Sequence, residues 1–521
     1  MSTSQLSAEQ VRRALLDQNY APRASRRGDD LPPSVCTLGT SRVSSKIVAN
    51  HTDGKHRPRR TERTLMGYSL ADVRVAHYRW NPRRIELPHP VAYSNLVETI
   101  GRLWESDIAP AINTDVAQFT VRQHSDGRIA SMEQSRPHLR PGVGRRFRVR
   151  ADIAAFYDSI YSHAIPWALM GKPEAKLNHR LSVPANELDA AVRMARRGET
   201  TGISVGPGSS LIIAELLLSK VDAALERYRY ERFLDDYVAY TRTETEAEEF
   251  VRDLDTALRG FGLQLNGRKT SVESLPAPED PGWLRELRQT SSTRPRELID
   301  RALELSRTDP QASAIQWALS RSQGILMGLS KEDQQHFLQR LAELSFSYPH
   351  TTPVLARSLL ATGIDLPQED LDTLIQKHAS DSQSSAVCWL LHLAWETNVA
   401  ISEKSWEAVR VTNDSLGLAY LLQSRSATLS TQQTALRADL RAAGGDAYTR
   451  DEAWPVRYIA YLEGVSELQD PGFEELREGG VALLRDPKEF ASAAAEPEVD
   501  DELGDDNDDD MIWGGGSGFS G

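Results

Sequence analysis

Two adjacent aspartates interrupt an apolar and aromatic run in this chain, Tyr230-Glu231-Arg232-Phe233-Leu234-Asp235-Asp236-Tyr237-Val238-Ala239-Tyr240. Strand packing asks for no charge at that point, so the pattern predicts a tight hairpin with both carboxylates at its tip. Hard divalent cations bound to phosphates are usually held by one or two carboxylates plus substrate oxygens, and a hairpin tip can offer such a pair. A second segment carries the same mark. In Arg150-Ala151-Asp152-Ile153-Ala154-Ala155-Phe156-Tyr157-Asp158-Ser159-Ile160, an aspartate opens an apolar stretch that leads into two aromatics.

Together the two segments outline a two-metal polymerase palm. In that chemistry, cations roughly 3.5–4 Å apart clamp the attacking and leaving oxygens of an in-line displacement. Asp152 and Asp235 are expected to bridge two Mg²⁺ ions, with Asp236 completing the acidic cluster. Asp235 lies 83 positions after Asp152, which leaves room for helices between the two metal-binding strands.

Two further segments fall in the order this plan needs. Gly202-Ile203-Ser204-Val205-Gly206-Pro207-Gly208 precedes the helix-like run Leu211-Ile212-Ile213-Ala214-Glu215-Leu216-Leu217-Leu218, and Gly262-Leu263-Gln264-Leu265-Asn266-Gly267-Arg268-Lys269-Thr270 follows the hairpin. With Asp152 and Asp235-Asp236, these segments resemble the reverse transcriptases over roughly residues 80–280. The resemblance implies that the loop at Gly206 lies under the templating base pair, where a backbone without Cβ approaches closely. It implies that Lys269 protonates the pyrophosphate leaving group as a general acid. It also puts Tyr157, five residues after Asp152, under the sugar, where it excludes a ribose 2′-hydroxyl. Basic residues of the fingers meet the incoming triphosphate in such enzymes; here Arg83 and Arg84 are the candidates, and the sequence does not choose between them.

The stretch Phe156-Tyr157-Asp158-Ser159-Ile160-Tyr161-Ser162-His163-Ala164-Ile165-Pro166-Trp167 is similar to the bacterial abortive-infection and defence-associated reverse transcriptases, as are Gly206-Pro207 and Lys269-Thr270. Two positions depart from the wider family. Ser204-Val205-Gly206 stands where many relatives carry Pro-Gln-Gly, which removes a glutamine that touches the incoming nucleotide. Phe233 stands where many have tyrosine before the aspartate pair, a mild change that keeps the strand apolar. His163 and Trp167 are assigned to packing.

The overall net charge of −13 argues superficially against a nucleic-acid partner, but its distribution reverses that reading. Residues 1–150 contain 25 Lys/Arg against 14 Asp/Glu, whereas the remainder carries 36 against 60. This asymmetry implies a basic part that faces nucleic acid. Arg23, Arg26, Arg27 and the cluster Lys55-His56-Arg57-Pro58-Arg59-Arg60 are candidates for phosphate contact, and Arg140, Arg145, Arg146 and Arg148 for lining the template. Only Cys36 and Cys388 occur, no basic-then-apolar leader opens the chain, and no apolar run approaches the ~18 residues of a membrane span. A reducing cytoplasm is the expected setting. No Ser-His-Asp order, Cys-x-x-Cys, His-Glu-x-x-His or ribonuclease H signature supports a second active site.

The expected fold is α+β: a right-hand polymerase palm and fingers followed by an all-α, helical-repeat-like C-terminal domain. Residues 1–80 form a basic extension and 81–275 the fingers and palm. After the punctuation Pro276-Ala277-Pro278-Glu279-Asp280-Pro281-Gly282, residues 283–490 form a HEAT-like array or bundle. Residues 491–521 hold ten acids and no Lys or Arg and read as an acidic disordered tail. The expected function is RNA-directed DNA synthesis in antiphage defence, with a dedicated non-coding RNA. The partners are RNA, a DNA product and deoxynucleoside triphosphates, with no membrane, and the reading allows a homo-oligomer. Untemplated synthesis from a tyrosine of the protein itself stays open, and a catalytically silent nucleic-acid-binding scaffold is the rival from another class.

Overall fold

The aspartates sit on a four-stranded antiparallel sheet. In the computed structural model of the chain, the described residues are 6–21, 30–53, 55–59, 66–78, 81–113, 115–116, 118–123, 130–135, 142–278, 280–290, 295–309, 313–423, 430–442 and 446–485. The acidic segment 491–521 and Arg23, Arg26, Arg27, Arg60 and Arg140 lie outside them.

The N-terminal part opens with α1 (Ala8–Asp17), capped by Ser7 and Gln10 in a reciprocal box, and a two-residue strand β1 (Val35–Cys36). Helix α2 (Thr40–His51) follows, within a stretch whose Ser, Thr and Arg content reads as loop; Val43 and Ile47 give it a buried apolar side. Strands β2 (Leu70–Tyr78) and β3 (Asn81–Pro88) form an antiparallel hairpin across the expected boundary at residue 80. Helix α3 (Pro90–Leu103) starts on a proline, which suits the first helical position. Tyr20 donates to the Pro88 carbonyl at 2.6 Å and Trp104 to the Leu6 carbonyl at 2.8 Å, fixing the α1 region on this unit. A second hairpin pairs β4 (Gln118–Gln123) with β5 (Ala130–Ser135).

The central sheet begins with β6 (Phe147–Asp152). Helices α4 (Phe156–Ser159), α5 (Ala164–Met170), α6 (Lys172–Leu177), α7 (Pro184–Met194) and α8 (Gly208–Ala223) fill the interval to the hairpin of β7 (Tyr230–Phe233) and β8 (Asp236–Thr241). Helix α9 (Glu244–Gly260) lays Ala247, Phe250, Leu254 and Leu258 against β6 and β8 at helical spacing. Strand β9 (Ser271–Ser274) completes the order β7-β8-β6-β9. Helix α8 is apolar nearly all round and buried, except that Glu215 and Asp222 are buried within it.

The rest of the described chain is helical. It runs through α10 (Gly282–Gln289), α11 (Pro295–Thr308), α12 (Ala314–Leu326), α13 (Lys331–Ser347), α14 (Thr352–Thr362), α15 (Gln368–Ser380) and α16 (Ser384–Thr397). There follow α17 (Glu403–Arg410), α18 (Ser415–Gln423), α19 (Ser430–Ala442), α20 (Ala447–Glu452), α21 (Trp454–Leu462), α22 (Phe473–Glu478) and a final strand β10 (Leu483–Leu484). Packing runs mostly between sequence neighbours: α11 on α12, α13 on α14 and α15, α15 on α16 and α17, and α16 on α18. The array turns back on the N-terminal part. Strand β10 pairs with β1, α16 and α20 lean on β2, and Trp454 donates to the Leu87 carbonyl at 3.2 Å. Ser34 hydrogen-bonds His392 Nδ1 at 3.1 Å and the Tyr420 hydroxyl at 2.5 Å.

His378 and His392 are about 1 % exposed. Burial lowers both to about 4, with the Lys377 ammonium adding to the effect at His378. A histidine depressed in the fold is neutral there while the unfolded chain takes up a proton below about pH 6.5. Stability is therefore lost as pH falls from about 6.5 towards 4, on the order of 2 kcal/mol per histidine by pH 5. Urea unfolding at pH 7 and pH 5 is expected to show that loss, and H392N to flatten it; an unchanged pH slope in H392N would count against this assignment.

Candidate active site

Register decides which aspartates meet. Strands β6 and β8 pair Asp152 with Asp236, so their side chains leave the same face of the sheet. β7 and β8 pair Phe233 with Asp236, which leaves Leu234-Asp235 as a two-residue turn. Among the two turn residues only Leu234 has a positive φ, +53°. Glycine is the usual residue at such a first turn position, and a side chain there costs about 1–2 kcal/mol.

The three carboxyl groups are unequally compensated. Asp152 is buried; its carboxylate accepts from Lys269 Nζ at 2.9 Å and from Asn266 Nδ2 at 3.1 Å. The Asn266 amide also donates to the Asp152 carbonyl at 2.8 Å, which laces this loop to the end of β6. Burial, and then the Asp152 carboxylate, raise Asp235 to about 6. Burial, then Asp235 and Asp152, raise Asp236 to about 7. These shifts mark carboxyl groups that are buried first of all and have further carboxylates as neighbours.

Beneath the turn lies Arg232, fully buried with Glu215 and Asp222. Burial opposes its charge, but the two carboxylates outweigh that penalty and hold its pKa well above the ordinary arginine value. Glu215 and Asp222 stand seven residues apart on α8, two turns and therefore one face. Removing one member of such a buried set typically costs about 3–5 kcal/mol.

The glycine loop is held from two sides, by Tyr157 and by Glu86. The Ile203 amide donates to the Tyr157 carbonyl at 3.0 Å, and the Glu86 amide to the Val205 carbonyl at 2.9 Å. The Glu86 carboxylate accepts from the Val205 amide at 3.2 Å and from Arg196 at 2.8 Å. Glu86 is 1 % exposed and its pKa is raised by burial against the pull of Arg196 and Arg84. Gly206 is exposed at φ +116°, a conformation that favours glycine. Gly208 has another reason: an added Cβ would meet Asn19 Cβ at 2.6 Å.

The structure therefore brings Asp152, Asp235, Asp236 and Lys269 to one place. Tyr157 is half-buried beside them; burial, and then the Asp235 carboxylate, raise its pKa. Arg83 stands within electrostatic reach of Tyr157 and is paired with Asp30 at 2.6 Å. Arg84 is more exposed and pairs with Asp72 at 2.7 Å and Glu86 at 3.1 Å. Arg145 meets Glu246 at 3.5 Å and Arg148 meets Glu273 at 2.6 Å. In the 55–59 stretch, His56 contacts Asn95 and Glu187, each at 3.0 Å, and Arg59 donates to the Thr52 carbonyl. His163 and Trp167 cluster with Tyr161, and Lys172 lies 4.0 Å from the Trp167 ring centre.

Sequence reasoning passed over Asn266, Asp30, Arg196, and the set Arg232, Glu215 and Asp222. A signal for one of the last was present: Glu215 is a lone charge in an otherwise apolar run.

Residues 95–316 match the family model described as reverse transcriptase (RNA-dependent DNA polymerase). The chain carries a reverse transcriptase domain. It is thus an RNA-directed DNA polymerase, a nucleotidyltransferase whose class works on an RNA template, deoxynucleoside triphosphates and a DNA product. No curated protein matches the chain. No described helix is long and apolar enough to cross a membrane.

Reverse transcriptases generally use divalent metals such as Mg²⁺. Among the described residues no three His, Cys, Asp or Glu side chains are grouped as a ready-made metal cage; Asp152 is turned to Lys269 and Asn266. The donors nevertheless fit the ion. Mg²⁺ prefers hard oxygen ligands and takes only one or two carboxylates beside substrate phosphates, and Asp235 and Asp236 offer two adjoining carboxyl groups at the end of β8.

The Glu86 brace gives a direct expectation for the reverse transcriptase domain. Glu86→Gln leaves Arg196 without its anion and is expected to cost about 3 kcal/mol in urea unfolding. Hydrogen exchange at the Val205 amide should quicken in the same variant; exchange at the wild-type rate would show that the loop is held by other contacts.

Proposed function

We propose that this reverse transcriptase domain forms a palm and fingers and acts by two-metal nucleotidyl transfer, with Asp152, Asp235 and Asp236 as the metal ligands. The observation that carries this reading is the register of β6 and β8, which sets Asp152 against Asp236 with Asp235 in the adjoining turn. The primer 3′-hydroxyl attacks the α-phosphate of a deoxynucleotide. A new O–P bond forms as the bond to pyrophosphate breaks, and the hydroxyl proton passes to solvent water. When bound, Mg²⁺ supplies Lewis acidity at the hydroxyl and charge neutralisation at pyrophosphate.

Lys269 supplies the proton for the leaving pyrophosphate, once released from Asp152. Tyr157 packs under the deoxyribose, its backbone tied to the glycine loop through Ile203. Arg83 meets the triphosphate on exchanging Asp30 for it, and Gly206 lets the loop backbone approach the templating pair. The successive packing of α11 to α18 supports a helical-repeat reading of residues 283–490, with residues 1–80 as a basic extension.

The domain's setting is bacterial antiphage defence of the abortive-infection type, in the cytoplasm, with a dedicated non-coding RNA. This rests on the Phe156–Trp167 stretch, on Gly206-Pro207, and on a helical array downstream of the sheet.

The deciding experiment is labelled-deoxynucleotide incorporation by the purified chain, with co-purifying RNA retained or removed. Mg²⁺-dependent product that vanishes on RNA removal is expected, and Asp235→Asn should lower the rate by roughly 10³-fold or more. Product that survives RNA removal and stays attached to protein would replace templated copying with self-primed synthesis; no incorporation at all would overturn the reading. Tyr157→Ala is expected to lower the preference for deoxy- over ribonucleotides by roughly 10–100-fold, checked by competing the two triphosphates. An unchanged ratio would remove Tyr157 from sugar selection.

A further inference from the structure

We propose that Arg232 is a positioning residue: it holds the Leu234-Asp235 turn in its left-handed form and so aims the Asp235 carboxylate at the metal. This deepens, and rests on, the two-metal reading of the same site.

The geometry of one guanidinium carries the argument. Its Nε donates to Asp222 Oδ1 at 3.1 Å, and its Nη2 to Asp222 Oδ2 at 2.7 Å and Glu215 Oε2 at 2.8 Å. Nη1 donates to Glu215 Oε1 at 2.9 Å and to the Leu234 carbonyl at 3.2 Å. All five N–H groups of an arginine are thereby used. Four go to two carboxylates on a buried helix; the fifth goes to the backbone of the turn residue that has φ +53°. The side chains of Arg232, Glu215 and Asp222 are 0 % exposed, so no solvent competes for these bonds.

A buried ion cluster is weak evidence for stability, because apolar residues of similar volume often serve as well. What apolar residues cannot do is grip a carbonyl. The Tyr230 hydroxyl also donates to Asp222, at 3.0 Å, which anchors the clamp to the strand that enters the turn. Lysine keeps the charge but offers three donors from a single nitrogen and cannot reproduce the planar fork. Glycine at position 234 adopts the left-handed form unaided. The proposal therefore predicts a specific rescue: the turn should need Arg232 only while residue 234 has a side chain.

The test uses the full chain as R232K, L234G, R232K/L234G and D235N, with folding checked by circular dichroism and thermal unfolding. Binding of Mn²⁺ alone, read from the free-ion electron paramagnetic resonance signal, needs no polymerase activity. R232K is expected to weaken the D235N-sensitive Mn²⁺ site roughly 10–100-fold, and to lower kcat for deoxynucleotide incorporation comparably, with KM for the nucleotide within about threefold. R232K/L234G should recover both to within about threefold of L234G alone, as expected where glycine removes the need for support. Should R232K not fold, E215Q, which loosens the clamp from the helix side, carries the same comparison.

A folded R232K with wild-type Mn²⁺ affinity, or a loss that L234G does not rescue, would overturn the proposal and leave Arg232 as core packing. A wild-type chain that binds Mn²⁺ through Asp235 but incorporates no deoxynucleotide would overturn the polymerase reading instead; the positioning role would then be decided by Mn²⁺ binding. Wild-type protein without a D235N-sensitive Mn²⁺ site would overturn both.

Discussion

Antiparallel register puts the Asp152 and Asp236 side chains on one sheet face, and a two-residue turn adds Asp235 beside them. Two like charges 4 Å apart repel by about 4 kcal/mol at an effective dielectric of about 20, a large fraction of what keeps a domain folded. The site must therefore share protons, find a cation or come apart. Raised pKa values at Asp235 and Asp236 are the first of these responses. Lys269 on Asp152 is the second. The surrounding structure is arranged so that the third does not occur.

That arrangement extends outward through hydrogen bonds and ion pairs set in a continuous apolar core. Glu86 ties β3 to the glycine loop through both the backbone and the carboxylate of one residue, and Arg196 neutralises it. The β2–β3 hairpin that carries Glu86 is in turn backed by the helical array, with Trp454 on the Leu87 carbonyl and Asp451 accepting from the Ser69 amide at 3.1 Å. Strand β1 is clasped by β10, near the chain's far end.

How much of this was legible in the sequence depends on how local each cause is. The hairpin and its two acids were readable because adjacency alone makes Asp235-Asp236 anomalous between apolar strands. The α8 helix and the helical character after Pro276 were readable from an apolar run and from Pro- and Gly-rich punctuation. Helix α2 was not, since its Ser and Thr residues mimic loop composition and its burial comes from distant partners, including α22. Pairings such as Glu86 with Arg196 or Arg83 with Asp30 join residues 110 and 53 positions apart, and no local rule links them. Within the Arg232 set only Glu215 stands out in the sequence, and only the fold reveals that the three charges answer one another.

Two cations beside the aspartates differ in exposure and in the number of donors they spend. Arg232 has no exposure and spends five donors, so replacing it with a soluble ion would strand two buried carboxylates and a carbonyl. Lys269 is 28 % exposed at its side chain and holds Asp152 through one hydrogen bond. The Asp152 carboxylate is buried, so losing Lys269 would leave a buried charge uncompensated unless another cation takes its place. Arg232 and Lys269 thus answer the acidic cluster in two ways, one fully buried and bound to two carboxylates, the other partly exposed on a single carboxylate.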